Sequence, residues 1–302
     1  MTTPGPDMPG DHTPQVNVIV VAYGPVAALT EALETLGAGV SVVVVDNASS
    51  SATEHAVAGA GARYVDPGRN LGFAAAVNRA MALLPDAEAD VLLLNPDARI
   101  TPSELQRLHA ELLTRPDVAC VAPVQHRPGT GGPSRAHWPW HTPGGAWADA
   151  VGLGRRRLDS ERYFLGGAVL LLRRRALTEV GLFDERFFLY GEDEDWQRRA
   201  LDRGWRVRLC PEVTAVHGSG GTESDPARLQ LRLHASLERY MRKWFGVGGW
   251  ELYRAGMLFG LVPRALLGRG RRRRSARRLA RLYVRGPDRM AQRAGAVPGP
   301  GG

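Results

Sequence analysis

Two continuous apolar, β-branched runs, Val16 to Val21 and Val40 to Val45, are separated by a single helix-length segment, Val26 to Leu36. Unbroken Val/Ile runs lack the alternation of a strand with one wet face, so each suits a strand covered on both sides. Strand, helix, strand at this spacing predicts a parallel pair and an α/β architecture. The pattern continues with a short strand near Ala62 to Val65, a helix over Phe73 to Leu84, a strand over Asp90 to Leu94 and a helix over Pro102 to Leu113. Thr101 supplies an N-cap to that last helix, Pro102 its first turn, and Glu104 stands three residues after the cap.

Further on the signals change. Residues 126–162, rich in Pro, Gly, Trp and His, read as a long loop over the active face. Gly166 to Leu172 reads as a buried strand, Arg174 to Val180 as a short helix, and Gly191 to Arg203 as a helix ending at Gly204. Val213 to Val216 reads as the last strand. Residues 228–245 fit an amphipathic helix. The expected organisation is a leader over 1–14, disordered by its Pro, Gly and Asp content, a catalytic-size domain over 15–225, and a helical basic extension over 226–302 with a disordered end.

Charge separates these parts. Of the 39 Lys and Arg residues, eleven arginines lie between Leu252 and Pro287, a stretch without Asp or Glu. Without them the net charge of +8 falls to −3, so the basic character belongs to the extension. Arg271 to Arg274 with Arg277, Arg278 and Arg281, beside the apolar patch Met257 to Val262 and Trp250, suit an anionic membrane surface. A solvated tail and a nucleic-acid contact are the competing readings, but no recognised nucleic-acid module precedes the tail. The apolar stretch Ala255 to Leu267 is broken by Pro263 and Arg264 and falls short of the roughly 20 residues that span a bilayer. Without a signal-peptide pattern in the first residues, the expected location is cytoplasmic, peripheral on the inner membrane face. Cys120 and Cys210 are too few for a disulfide framework and read as core residues.

In an open α/β sheet, ligands sit beyond the carboxyl ends of the strands. Three polar tips stand there: Ala22-Tyr23, Asp46-Asn47-Ala48-Ser49 and Asn95-Pro96-Asp97. A carboxylate at Asp46 can accept from a base or ribose, and one at Asp97 can hold a hard divalent cation bridging a diphosphate. Taken singly, such residues merely make turns. Three in order point to one crevice.

From Val16 to Gly221 the chain resembles the family-2 glycosyltransferases, in the branch with the bacterial rhamnosyltransferases. The resemblance rests on the Asp46 turn, Asn70-Leu71-Gly72-Phe73 with Asn78-Arg79, Asn95-Pro96-Asp97, Gly166-Gly167-Ala168, and Phe183 to Phe188 leading into Glu192-Asp193-Glu194-Asp195. It implies a GT-A fold, inversion at the anomeric carbon, and Mg2+ or Mn2+ as cofactor. By resemblance, Asp46 reads the nucleotide base, and Asp97 is the metal-binding end of an Asp-X-Asp motif that here begins with Asn95, one charge fewer. Ala22, Tyr23, Asn70, Gly72 and Asn78 are then assigned to the donor, and a helix N-terminus at Phe73 also favours its phosphates. Gly166, Gly167 and Trp196 are assigned to the acceptor. Asp193 is implied as the base, with Glu192 beside it; four successive acids repel, which raises at least one pKa. An acidic helix start facing solvent is the plain alternative. His217, at a strand end, is a packing residue or, by resemblance, the ligand completing the metal site. Gly218 to Thr222 suit a loop closing on the donor.

The implied function is transfer of a sugar, rhamnose from a thymidine diphosphate donor in first place, to a lipid-linked or polysaccharide acceptor in cell-envelope synthesis. Other hexosyl or galactofuranosyl donors fit the same family. A non-catalytic nucleic-acid-binding protein is the reading from a different class, and a nucleotidyltransferase is disfavoured because Tyr23-Gly24-Pro25 lacks a basic, Gly-rich triphosphate cradle.

Overall fold

A computed structural model describes residues 16–153, 163–218 and 225–298. The first strand, β1 (Val16–Ala22), lies between β2 (Ser41–Asp46) and β4 (Asp90–Leu94), parallel to both, and β2 carries β3 (Arg63–Val65) on its far side. Helices α1 (Val26–Leu36), α2 (Ser51–Gly59) and α3 (Phe73–Met81) make the crossovers. Both faces of β1 are buried, as its unbroken apolar run requires: Ile19 and Val21 join one core with α3, and Val18 and Val20 join another with α1 and α4 (Pro102–Leu113). The Thr101 hydroxyl caps α4 by accepting from Glu104 N at 3.3 Å.

Beyond β4 the sheet becomes mixed. β10 (Val169–Leu172) runs antiparallel between β4 and β6 (Val118–His126), and β11 (Arg206–His217) pairs parallel with β6 and antiparallel with the short β5 (Ala98–Arg99). Cys120 on β6 and Cys210 on β11 are both buried and free, as their isolation in the sequence implied. The segment read as one loop over 126–162 is structured where it is described. It holds β7 (Pro133–Ser134), β8 (His137–Pro139) and α5 (Pro143–Ala150), and β8 pairs with β9 (Tyr163–Leu165). Of the expected strand over Gly166 to Leu172, only Val169–Leu172 forms a strand, β10; residues 166–168 make the turn that joins it to β9. α6 (Arg174–Val180) and α7 (Glu192–Leu201) follow on the face of the α3 core.

The C-terminal part is a helical unit: α8 (Pro226–Leu267), which turns sharply at Gly246, α9 (Gly270–Arg285) and α10 (Pro287–Arg293). α9 folds back along the second half of α8, with the Tyr283 ring 6.0 Å from Trp250 and 6.5 Å from Tyr253. Trp250 is therefore core, and the arginine segment is a folded helix. The expected leader over 1–14 and the last residues, 299–302, lie outside the described residues.

Candidate active site

The three polar tips meet at one sheet edge because β1, β2 and β4 run parallel and end together. They line a cleft with Tyr23, Asn47, Asn70, Gly72, Asn95 and Asp97 on its walls. The opposite wall is Phe188, Leu189 and Tyr190, and α8 closes it with Leu229 and Arg232.

Asn47 fixes the wall around Gly72. Its side chain donates to Gly72 O at 2.9 Å and accepts from Leu71 N at 3.0 Å. Phe73 N donates to Phe188 O at 2.7 Å, so one of the α3 N-terminal donors offered to a phosphate is already engaged. Gly72 has φ +79°, and an added Cβ would collide with the Phe188 carbonyl and ring. Positive φ in a non-glycine costs about 1–3 kcal/mol, before any clash. Gly72→Ala is expected to destabilise the fold by at least about 2 kcal/mol; urea unfolding measures it, and an unchanged midpoint would contradict this packing.

Asp97, in the turn between β4 and β5, and His217, at the end of β11, come together: Nε2 of His217 is 3.4 Å from Oδ1 of Asp97, and Gly218 N donates to Asp97 O at 3.0 Å. Residues 219–222 of the expected closing loop lie outside the described residues. Among the described residues no third His, Cys, Asp or Glu joins the pair. One carboxylate and one imidazole still fit a divalent cation of the kind that takes its other ligands from a substrate diphosphate and water.

The turn at 166–168 links this pair to the acids of α7. Asn95 N donates to Ala168 O at 2.8 Å, and Gly167 N donates to Asp193 Oδ2 at 2.9 Å. Glu194 N donates to the other oxygen, Oδ1, at 2.8 Å. Tyr190 (φ +69°) and Gly191 (φ +84°) turn the chain so that α7 starts on Glu192. A non-glycine in that region is strained and is held by its surroundings. The Tyr190 phenol lies among the site's charges. It is pushed up to about 12, by burial first and then by Glu192, with smaller contributions from Asp193 and Asp97, while Arg232 opposes.

The solvent-facing acidic helix start is ruled out, because Glu192, Glu194 and Asp195 are buried. Nor is mutual repulsion the main cause of the perturbed acids. Burial raises Asp193 to about 6, against its two backbone hydrogen bonds, and it also lifts Glu192 well above the usual range, with Asp193 adding to it. Glu192 Oε2 has no hydrogen-bond partner among the described residues. Glu194 pairs with His141 Nδ1 at 2.7 Å, and Asp195 pairs with Lys243 at 2.6 Å and Arg199 at 3.0 Å. Two acids of the run are thus structural ion pairs, and Asp193 is held against the 166–168 turn with Glu192 beside it.

Five sequence assignments change in meaning. Trp196 is fully buried, stacks on Phe183 at 6.0 Å and donates to Gly181 O at 2.8 Å, so it has no surface for an acceptor. Asn78 is a strut: it donates to Phe183 O and Glu185 Oε1, each at 2.9 Å, and accepts from Phe183 N at 3.0 Å. Asp46 has no exposed surface and accepts from Ala48 N, Ser50 N and the Tyr64 hydroxyl, holding the turn after β2. Ala22 is buried and meets that turn through its carbonyl, which accepts from Asn47 N at 2.9 Å. Gly166 is covered by Trp138, whose ring lies 2.5 Å from where a Cβ would stand. The residues missed in sequence are Asn47, Tyr190 and, above all, Arg232, which lies in the segment set apart as an extension.

Known proteins share the sequence and the fold of this chain. Residues 17–181 match the profile of glycosyl transferase family 2. Over 295 residues the chain is 30% identical to N-acetylglucosaminyl-diphospho-decaprenol L-rhamnosyltransferase of Mycobacterium tuberculosis, covering 85% of this chain and 95% of that protein. It is 23% identical to a low-salt glycan biosynthesis hexosyltransferase of Haloferax volcanii, over 67% of this chain and 66% of that one. Among solved structures, a mannosyltransferase from Pyrobaculum calidifontis in complex with GDP-Man and Mn2+ is similar at a TM-score of 0.56 and 18% identity, covering 94% of this chain and 86% of that one. Glucosyl-3-phosphoglycerate synthase of Mycobacterium tuberculosis with Mn2+ and UDP follows at a TM-score of 0.52 and 18% identity, covering 79% and 86%. With its mixed sheet, its strand-end cleft and this match across more than half its length, the chain belongs to glycosyl transferase family 2, as a glycosyltransferase of the GT-A fold.

Proposed function

We propose that the chain is an inverting, metal-dependent transferase that moves rhamnose from a thymidine diphosphate donor to a lipid-linked saccharide during cell-envelope synthesis, at the inner face of the membrane. The observation that carries the reading is the 166–168 turn. It is bonded to Asn95 on the Asp97 side and to Asp193 on the other, which sets a candidate base against a candidate diphosphate site. The rhamnosyl donor and lipid-linked acceptor are supported by the 30% identical mycobacterial relative, whose name carries both.

In this reading Asp97 and His217 hold the cation. Bound there, a divalent ion supplies positive charge to the diphosphate oxygens that receive the electron pair. The acceptor hydroxyl oxygen attacks the anomeric carbon from the face opposite the leaving group. As that bond forms, the sugar–diphosphate bond breaks, and Asp193 takes the hydroxyl proton. The backbone N–H groups of Gly167 and Glu194 keep the carboxylate aimed, and Glu192, whose carboxyl burial raises well above the usual range, lies beside it.

Arg232 is buried at the cleft wall, its guanidinium 4.9 Å from the Phe188 ring and its Nε donating to Ala296 O at 2.9 Å. We assign it a share in neutralising the leaving diphosphate. Arg232→Lys is expected to keep part of the activity and Arg232→Gln to lower kcat/KM by at least about tenfold; equal activity of all three proteins in a steady-state assay would remove the assignment.

The reaction itself is tested with labelled nucleotide sugars and a short lipid-linked saccharide. The expected product carries rhamnose in the configuration opposite to that of the donor. A retained configuration would contradict the proposed displacement, and transfer from a different nucleotide sugar would replace the donor.

A further inference from the structure

The second half of α8 presents an apolar stripe to solvent. Leu252, Ala255, Phe259, Val262 and Leu266 recur at helical spacing and are all exposed, and Leu267 at its end is 84% exposed. At 1.5 Å per residue the stripe runs for about 21 Å. It is fixed from below: the Trp147 ring of α5 lies tilted against Phe259 at 5.3 Å, and its Nε1 donates to Leu252 O at 2.9 Å. Val151, 58% exposed, continues the surface at the end of α5, next to Ala150, which packs on Gly260. Immediately after the stripe, α9 exposes Arg271, Arg272, Arg274, Arg278 and Arg281, and Arg273 and Arg277 tie it back to Ala265 O. Contiguous apolar surface of this length marks an interaction site.

We infer that this stripe is a membrane-inserting keel, which lies in the plane of an anionic bilayer with Phe259, Val262, Leu266 and Leu267 below the headgroups and the α9 arginines on their phosphates. The inference rests on the reading that the acceptor is carried on lipid, and it moves the apolar contact from the patch with Trp250, which is buried, to the exposed stripe from Leu252 to Leu267. Charge selects the partner. Residues 252–287 hold eleven arginines and no acid, so a second copy laid on the same stripe brings like charges together. A nucleic acid satisfies the arginines and leaves the apolar stripe in water. An anionic bilayer takes both. No described helix is long and apolar enough to cross a membrane, which agrees with lying in the interface.

The test is flotation of the full chain with vesicles of phosphatidylcholine alone and of an equal mixture with phosphatidylglycerol, without donor or acceptor. Wild type is expected to float with the anionic vesicles only. The pair Phe259→Ser and Leu266→Ser is expected to weaken that partition by at least about tenfold. The triple change of Arg271, Arg272 and Arg274 to Gln weakens it similarly and flattens its salt dependence. Leu113→Ser, an exposed position on α4, leaves it unchanged. All these side chains are exposed, and circular dichroism checks that the variants fold. Wild type that fails to float, or floats equally well with the serine pair, overturns the keel; so does a stripe-dependent dimer in light scattering, or duplex DNA that strips wild type from the vesicles. Release of nucleoside diphosphate in solution is expected to be the same in every variant, so loss of flotation and failure of the proposed reaction are read separately.

Discussion

Asp193→Asn is expected to lower kcat by about 10²- to 10⁴-fold, the contribution of a positioned general base, with donor affinity unchanged. An asparagine keeps the shape and its single oxygen can accept from Gly167 N, at the loss of the Glu194 N hydrogen bond, but it cannot take the proton of the acceptor hydroxyl. Burial raises this carboxyl from 3.8 to about 6, so the base form accumulates as pH rises through about 6. Wild-type kcat/KM is therefore expected to climb through that range and level off above it, and the asparagine variant loses the climb. The sign for stability is opposite. The folded chain binds a proton there more tightly than the unfolded chain, so this group's contribution is present at low pH and is lost as pH rises from 3.8 through about 6. At neutral pH the variant should melt no earlier than wild type. A variant that melts much earlier would make Asp193 a packing residue; a flat wild-type profile around pH 6 would assign the proton to another group.

Asp97→Asn is expected to reduce kcat/KM by at least about a hundredfold, since charge stabilisation at a leaving diphosphate is worth several kcal/mol. Asn95 already replaces one acid of the Asp-X-Asp pattern, and among the described residues Asp97 is the carboxylate paired with His217. The substitution removes the last full negative charge of this pair and retains its shape. Calorimetry with Mn2+ and a nucleoside diphosphate together gives a second readout, expected to weaken at least about tenfold. Activity that is lost while this joint binding is retained would move Asp97 from cation binding to sugar positioning.

The parallel half of the fold was legible because β1, β2 and β4 each carry an unbroken apolar run, which has few other ways to be buried. β6 was not, because Pro123 breaks its ladder pattern in the middle of a sheet; it is tolerated at Pro123↔Cys210, where the β6–β11 register slips. Asp97 and Asp193 were legible as carboxylates beside turns. Asp46 was over-read, because the same strand-end position that faces a ligand also closes a turn, and its carboxylate is held by backbone donors. Trp196 was drawn to the acceptor by its place after the acids, yet α7 is buried on several sides and takes the ring into the core. Arg232 was hidden among the polar residues of α8. Those residues are buried because they pair across the helical unit: His234 Nδ1 lies 2.9 Å from the Tyr283 hydroxyl, and Glu238 Oε2 accepts from Asp288 N at 3.1 Å. Periodicity marks a polar face as wet unless such partners are known.

The central claim is that Asp97 and Asp193 act together on one nucleotide sugar. It is tested most directly by nucleoside diphosphate release from a panel of nucleotide sugars, with and without Mn2+ or Mg2+, by wild type, Asp97→Ala and Asp193→Ala, with bacterial membranes as acceptor. The account predicts metal-dependent turnover of thymidine diphosphate rhamnose by wild type and its loss in both variants. Turnover that needs no metal, or that survives either substitution, would contradict it.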